Sequence, residues 1–144
     1  MEDKLLIDGL FARDERSVAR LEEKYSSYCY TVAYAVVRCR EDAQECVGDA
    51  MLGAWNSIPP NRPENLGAYI GRIARNSALR EAVNEFLDSL GRERRIVFIQ
   101  RYWYMLGISE IAAERGMTEG AVKMSLKRTR DSLKIFLEKE GFTV

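Results

Sequence analysis

The side chains with the clearest chemical meaning are the cations Lys123, Lys127, Arg128 and Arg130, which occur with no acid between Ala121 and Arg130. Cations in such a row neutralise phosphates and displace the counterions condensed on a nucleic acid. Apolar Val122, Leu126 and Leu133 recur at helical spacing among them, so one face of this helix would pack while the rest meets a ligand. Upstream, Ser109 stands at an N-cap position, Glu110 puts a carboxylate in the first turn, and Ile111 and Ala112 give a short helix its inner face. Gly116 can take the left-handed backbone that ends that helix, and Thr118 can cap the next, from about Glu119. Two short helices crossing at such a turn form a helix-turn-helix, whose second helix fits a DNA major groove. Thr118, Glu119, Lys123, Met124, Lys127 and Arg128 are the candidate contacts, with Lys127 and Arg128 on phosphates and Lys123 and Met124 setting sequence preference. The alternative is a helical hairpin whose basic face is merely solvated.

A second constellation is acidic. Asp42, Glu45 and Asp49 stack at three- and four-residue spacing, where like charges repel, and Leu52 continues the line. Such a face suits docking of a basic partner with a small apolar socket, or is plain surface. A third constellation surrounds the prolines, all of which fall within Pro59 to Pro63 and make a stiff, non-helical loop. Asn61, Arg62 and Asn65 offer donors and acceptors there, and Arg72, Arg75 and Asn76 share a face of the following helix. Arginines on a backbone and amides on a base edge would suit a single strand whose bases leave the stack, although the loop could equally be a simple connection.

No catalytic set is present. The chain has no histidine, so Ser/His and Cys/His pairs are ruled out; no glycine-rich phosphate loop occurs, and the carboxylates are scattered on helical faces. We expect no enzyme and no cofactor. Cys29, Cys39 and Cys46 are odd in number and lack CxxC spacing, which argues against a zinc site or disulfide framework and for small core residues.

The elements that must position these residues are helices throughout. At 144 residues and 47% hydrophobic content the chain is one ordinary domain or two small ones. No apolar run approaches a membrane span, and Met1-Glu2-Asp3-Lys4 lacks the layout of a signal peptide, so a cytoplasmic, membrane-free protein is expected. The formal net charge is zero, yet Leu66 to Arg80 carries Arg72, Arg75 and Arg80 without an acid, a local basic patch of the kind DNA responds to. Val18, Leu21, Tyr25, Tyr28, Val32 and Ala35 predict one long helix capped by Asp14. Ala43, Cys46, Val47, Ala50, Met51, Ala54 and Trp55 predict a second over Asp42 to Trp55, and Asn65 caps a third with Leu66, Tyr69, Ile70, Ile73 and Ala74 inside. Val83, Phe86, Leu87 and Leu90, a turn at Gly91 and the aromatic stretch Ile96 to Tyr104 then lead into the helix-turn-helix. Strand alternation is absent, and the predicted fold is all-α in two small domains, 1–80 and 81–144.

Three pieces, Asp42-Ala43-Gln44-Glu45-Cys46-Val47 ending Ala54-Trp55, then Ala68-Tyr69-Ile70-Gly71-Arg72-Ile73-Ala74-Arg75-Asn76, then the helix-turn-helix from Ile108, together resemble bacterial sigma factors of the small extracytoplasmic-function type. The resemblance spans nearly the whole chain, in the family's order. It implies a promoter-recognition subunit of RNA polymerase. The Asp42 helix would dock on the clamp helices of the largest subunit, the proline loop with the Arg72/Arg75/Asn76 face would open and read the minus-ten element, and the Glu119 helix would read the minus-thirty-five element. An anti-sigma factor is a further implied partner. The chain departs from the family at Gly48 and Gly53, where larger polar or basic residues are common, and at Met124 and Ser125, which replace the usual Ser-Arg pair. It also runs from Arg72 to Leu90 without a proline or glycine, where the family has a variable linker. A stand-alone helix-turn-helix regulator and an interaction module that reads no DNA are the competing readings.

Overall fold

Capping and apolar periodicity determine where the helices begin and which way they face. The computed structural model describes residues 2–139, and these form seven helices with no strand among them. In order they are α1 (Glu2–Phe11), α2 (Glu15–Val37), α3 (Arg40–Ser57), α4 (Leu66–Ser89), α5 (Arg92–Tyr102), α6 (Ile108–Arg115) and α7 (Glu119–Lys139). The all-α expectation holds. The chain divides into two compact units, Met1–Ala82 and Val83–Val144, so the division falls after Ala82 rather than after Arg80. Helix α4 runs through this point without interruption, as its lack of proline and glycine after Gly71 allows.

In the first unit Asp14 caps α2, its carboxylate accepting the Arg16 amide at 3.0 Å. Helix α1 had no counterpart in the sequence reading, yet it supplies Leu6, Ile7 and Leu10 to the core. They meet Leu21 and Cys29 of α2, Ala50, Met51 and Ala54 of α3, Ile58 of the loop, and Leu66, Ile70 and Ala74 of α4. Burying each large aliphatic side chain contributes about 1.5–3 kcal/mol, which is what holds a unit of this size together. The expected stripe of α2 needs correction: Tyr28 is 48% exposed and Ala35 is also on the surface, while Ser17, Cys29, Ala33 and Val36 are buried. Small residues along a four-residue row let α2 approach its neighbours closely, and the Cys29 thiol lies 4.0 Å from the Ile70 carbonyl. Helix α3 extends past both expected ends, but its inner stripe is as read. Gly53 has a packing reason, since a Cβ there would stand 2.9 Å from Ile73 Cγ2, so the glycine lets α3 and α4 touch.

In the second unit Phe86 and Leu87 pack with Val97 and Phe98 of α5, Ile111 and Ala112 of α6, and Val122 and Leu126 of α7. Ser109 is not the cap of α6. Gly107 is, and its amide donates to Glu110 Oε1 at 3.1 Å; the helix starts early because Ile108 packs against this core. The bidentate pair of Arg115 with Glu93, at 3.0 and 2.8 Å, ties α6 to α5, holding the Glu93 carboxyl below and the Arg115 guanidinium above their ordinary pKa values.

Candidate functional site

Gly116 takes a left-handed backbone, φ 65°, and the Thr118 hydroxyl accepts the Ala121 amide at 3.0 Å, so the turn and the start of α7 form as the residue types require. This seats Val122 and Leu126 in the core and turns Glu119, Lys123, Met124, Lys127 and Arg128 outward, with Met124 50% exposed. Thr118 is exposed as well, but its hydroxyl is committed to the cap. Arg94 of α5, which no motif singled out, donates through Nε to Thr129 Oγ1 at 3.2 Å, and that fully buried hydroxyl donates to the Ser125 carbonyl at 2.9 Å. Arg130 is drawn to α5, donating to the Tyr102 hydroxyl at 2.9 Å. Lys123, Lys127 and Arg128 are therefore exposed on a helix that is tied to α5 through Thr129 and Arg130.

On α3, Glu45, Asp49 and Leu52 are exposed, Leu52 by 57%, while Asp42 is half-buried. Leu52 borders a surface depression of about 410 Å³ lined by Glu15, Val18, Met51 and Trp55. Asp49 also serves the packing, because Ser77 of α4 donates its hydroxyl to it at 2.7 Å. Beside this pair the buried Cys46 thiol has its pKa raised, chiefly by burial.

The proline loop is more tightly engaged than its residue types suggested. Asn61 donates its amide to the Tyr69 hydroxyl at 3.1 Å, and that hydroxyl also meets Ser57 Oγ at 2.5 Å. Asn65 accepts the Ala68 amide at 3.0 Å and so caps α4. Arg62 pairs with Asp8 of α1 and lies 5.0 Å from the Phe11 ring. The loop thus holds its own shape before any ligand arrives. Arg72, Arg75 and Asn76 of α4 are exposed together on the side away from Leu66, Ile70 and Ala74. Sequence reasoning missed Asp8 and Arg13, for neither sits in a periodic stripe or motif.

Comparison with known proteins agrees with this layout. The sigma-70 region 2 family matches residues 21–96, and the sigma-70 region 4 family matches residues 80–133. The fold is similar to that of CnrH, solved in complex with the cytosolic domain of CnrY, with a TM-score of 0.51 and 20% identity over 96% of this chain and 99% of that one. A chain of the RsbN–BldN complex gives a TM-score of 0.47 and 24% identity over 91% and 99%. No curated protein matches significantly. Region 2 covers the acidic face, the proline loop and the arginines of α4, and region 4 covers the helix-turn-helix. The chain belongs to the sigma-70 family, whose members bind core RNA polymerase and direct promoter-specific transcription initiation.

Proposed function

We propose that the two units divide this task. In the first, Asp42, Glu45, Asp49 and Leu52 dock on the clamp helices of the polymerase largest subunit. Asn61, Arg62, Asn65, Arg72, Arg75 and Asn76 open and read the minus-ten element. In the second, Thr118, Glu119, Lys123, Met124, Lys127 and Arg128 read the minus-thirty-five element in the major groove. The observation that carries the reading is α7, whose Val122 and Leu126 are sunk in the core while Lys123, Lys127, Arg128 and Arg130 are exposed with no acid between Ala121 and Arg130. A chain of this kind acts by binding alone and without chemistry of its own, in the cytoplasm where polymerase and DNA meet. None of its described helices is long and apolar enough to cross a membrane. CnrH was solved with the cytosolic domain of CnrY on it; by analogy an anti-sigma factor is a proposed partner here, covering one of these faces. Transcription in vitro with core polymerase and a randomised promoter library tests the whole. Enrichment of a two-element promoter is expected, and lack of any enrichment over core enzyme would reject the assignment.

A further inference from the structure

The proline loop is fastened at both ends by the stretch from Asp8 to Arg13. At the inner end Arg13, itself in a left-handed backbone with φ 57°, donates through Nη1 to the Trp55 carbonyl at 2.7 Å and the Ile58 carbonyl at 3.0 Å. Its guanidinium also lies over the Trp55 ring, 3.5 Å from the centroid. At the outer end the Asp8 carboxylate holds the Arg62 guanidinium, which leans on the Phe11 ring. The two contacts differ in kind. Arg13 is held by two main-chain carbonyls and the face of Trp55 together, whereas Arg62 is held by one exposed carboxylate, and a carboxylate and a phosphate ask for the same planar fork of donors. Arg62 and Asp8 are 48% and 47% exposed at their side chains, so a strand can reach the pair from solvent.

We propose that Asp8 is a built-in competitor for the DNA backbone: its carboxylate occupies Arg62 in the DNA-free protein, and a promoter-strand phosphate takes its place when the loop engages. This rests on the reading above that the loop contacts the melted strand. Asp8 thereby sets the threshold for strand capture, weakening unspecific contacts while Arg13 keeps the inner end of the loop in place. An exposed ion pair is a weak latch, so its removal should change affinity only about two- to fivefold.

The test uses holoenzyme reconstituted from this chain and core polymerase, with a fluorescein-labelled single strand of randomised sequence read by anisotropy. Asp8→Asn is expected to bind about two- to fivefold more tightly than the parent, Arg62→Ala more weakly, and the double variant like Arg62→Ala alone. Asp8→Ser serves as a second variant with the same expectation, and thermal melts by circular dichroism confirm that each chain is folded. Parent-like affinity in both Asp8 variants, with Arg62→Ala still weaker, would overturn the competition and leave the loop's DNA contact standing. Parent-like affinity in Arg62→Ala would remove the loop contact itself, and the competition with it.

Discussion

The Ser77 hydroxyl donates to the Asp49 carboxylate at 2.7 Å, joining the acidic face of α3 to the arginine-bearing helix α4. Asp49, which we propose for docking, therefore also has a structural bond; Glu45 lies one turn earlier, and both side chains are exposed. Charge reversal at either position should weaken binding to core polymerase, because both lie on the proposed docking face. Only Asp49→Lys should also reduce stability, by about 1 kcal/mol, since Ser77 is buried and would lose its charged acceptor. Polymerase binding by anisotropy and urea melts of both variants check this. Equal stability in the two would show that the Ser77 bond contributes nothing.

Lys127 and Arg128 are the residues we propose to meet phosphates, whereas Lys123 and Met124 lie nearer the start of α7. Replacing Lys127 or Arg128 with alanine should lower the slope of log affinity against log salt by about 0.9 per lost contact, with little change in the preferred sequence. Lys123→Ala and Met124→Ala should instead alter the preferred sequence in a duplex selection. Salt slopes identical to the parent in both of the first two variants would contradict the groove placement.

Asn65 separates a structural role from a reading role. Its side-chain oxygen caps α4 through the Ala68 amide, so Asn65→Ala should cost about 1 kcal/mol, or several degrees in Tm for a unit of this size. Asn65→Asp retains the cap and should melt close to the parent. If the amide also reads a base edge, as proposed, the aspartate variant will still lose promoter opening, measured by permanganate reactivity of thymines. Normal opening with Asn65→Asp would confine the residue to capping.

How much of this was legible in the sequence follows from the range of the interactions involved. The turn at Gly116, the Thr118 cap and the stripes of α3 and α7 depend on residues a few positions apart, and the residue types alone specify them. Gly107 displaced Ser109 as a cap because Ile108 is drawn into a core that forms from distant residues. The same reason hid α1, whose helix is justified by packing against α2, and hid the inward line of α2, where small residues won over tyrosines. Arg13, Asp8 and Ser77 act across more than 25 positions in sequence, and no local pattern announces them. The candidate contacts of α7 were readable as a face, and so was the Asn65 cap; the engagement of Asn61 and Arg62 with the rest of the protein was not.

Cys29 makes the first unit sensitive to alkali. Its thiol is fully buried, and burial raises its pKa from 9.0 to about 11. Below pH 9 the thiol is neutral in both the folded and unfolded chain, so it adds no pH dependence there. Between pH 9 and 11 the unfolded chain loses this proton while the folded chain keeps it, which favours unfolding. A raised pKa thus means stability that is intact below 9 and falls as pH rises through the window, by about 2–3 kcal/mol at its upper end. Cys46 is shifted in the same direction by burial and adds to the loss. Lysine and tyrosine titrations overlap this range, but they are common to parent and variant and cancel in a difference. Urea melts of the parent and Cys29→Ala, under reductant at a series of pH values, isolate the thiol. At pH 7 the alanine variant should be the less stable by about 1 kcal/mol, because a small void replaces the sulfur. Toward pH 11 that gap should close and reverse. A gap that stays constant across the window would mean that Cys29 ionises as readily in the folded chain as in the unfolded one, and that the contact between α2 and α4 is open to water.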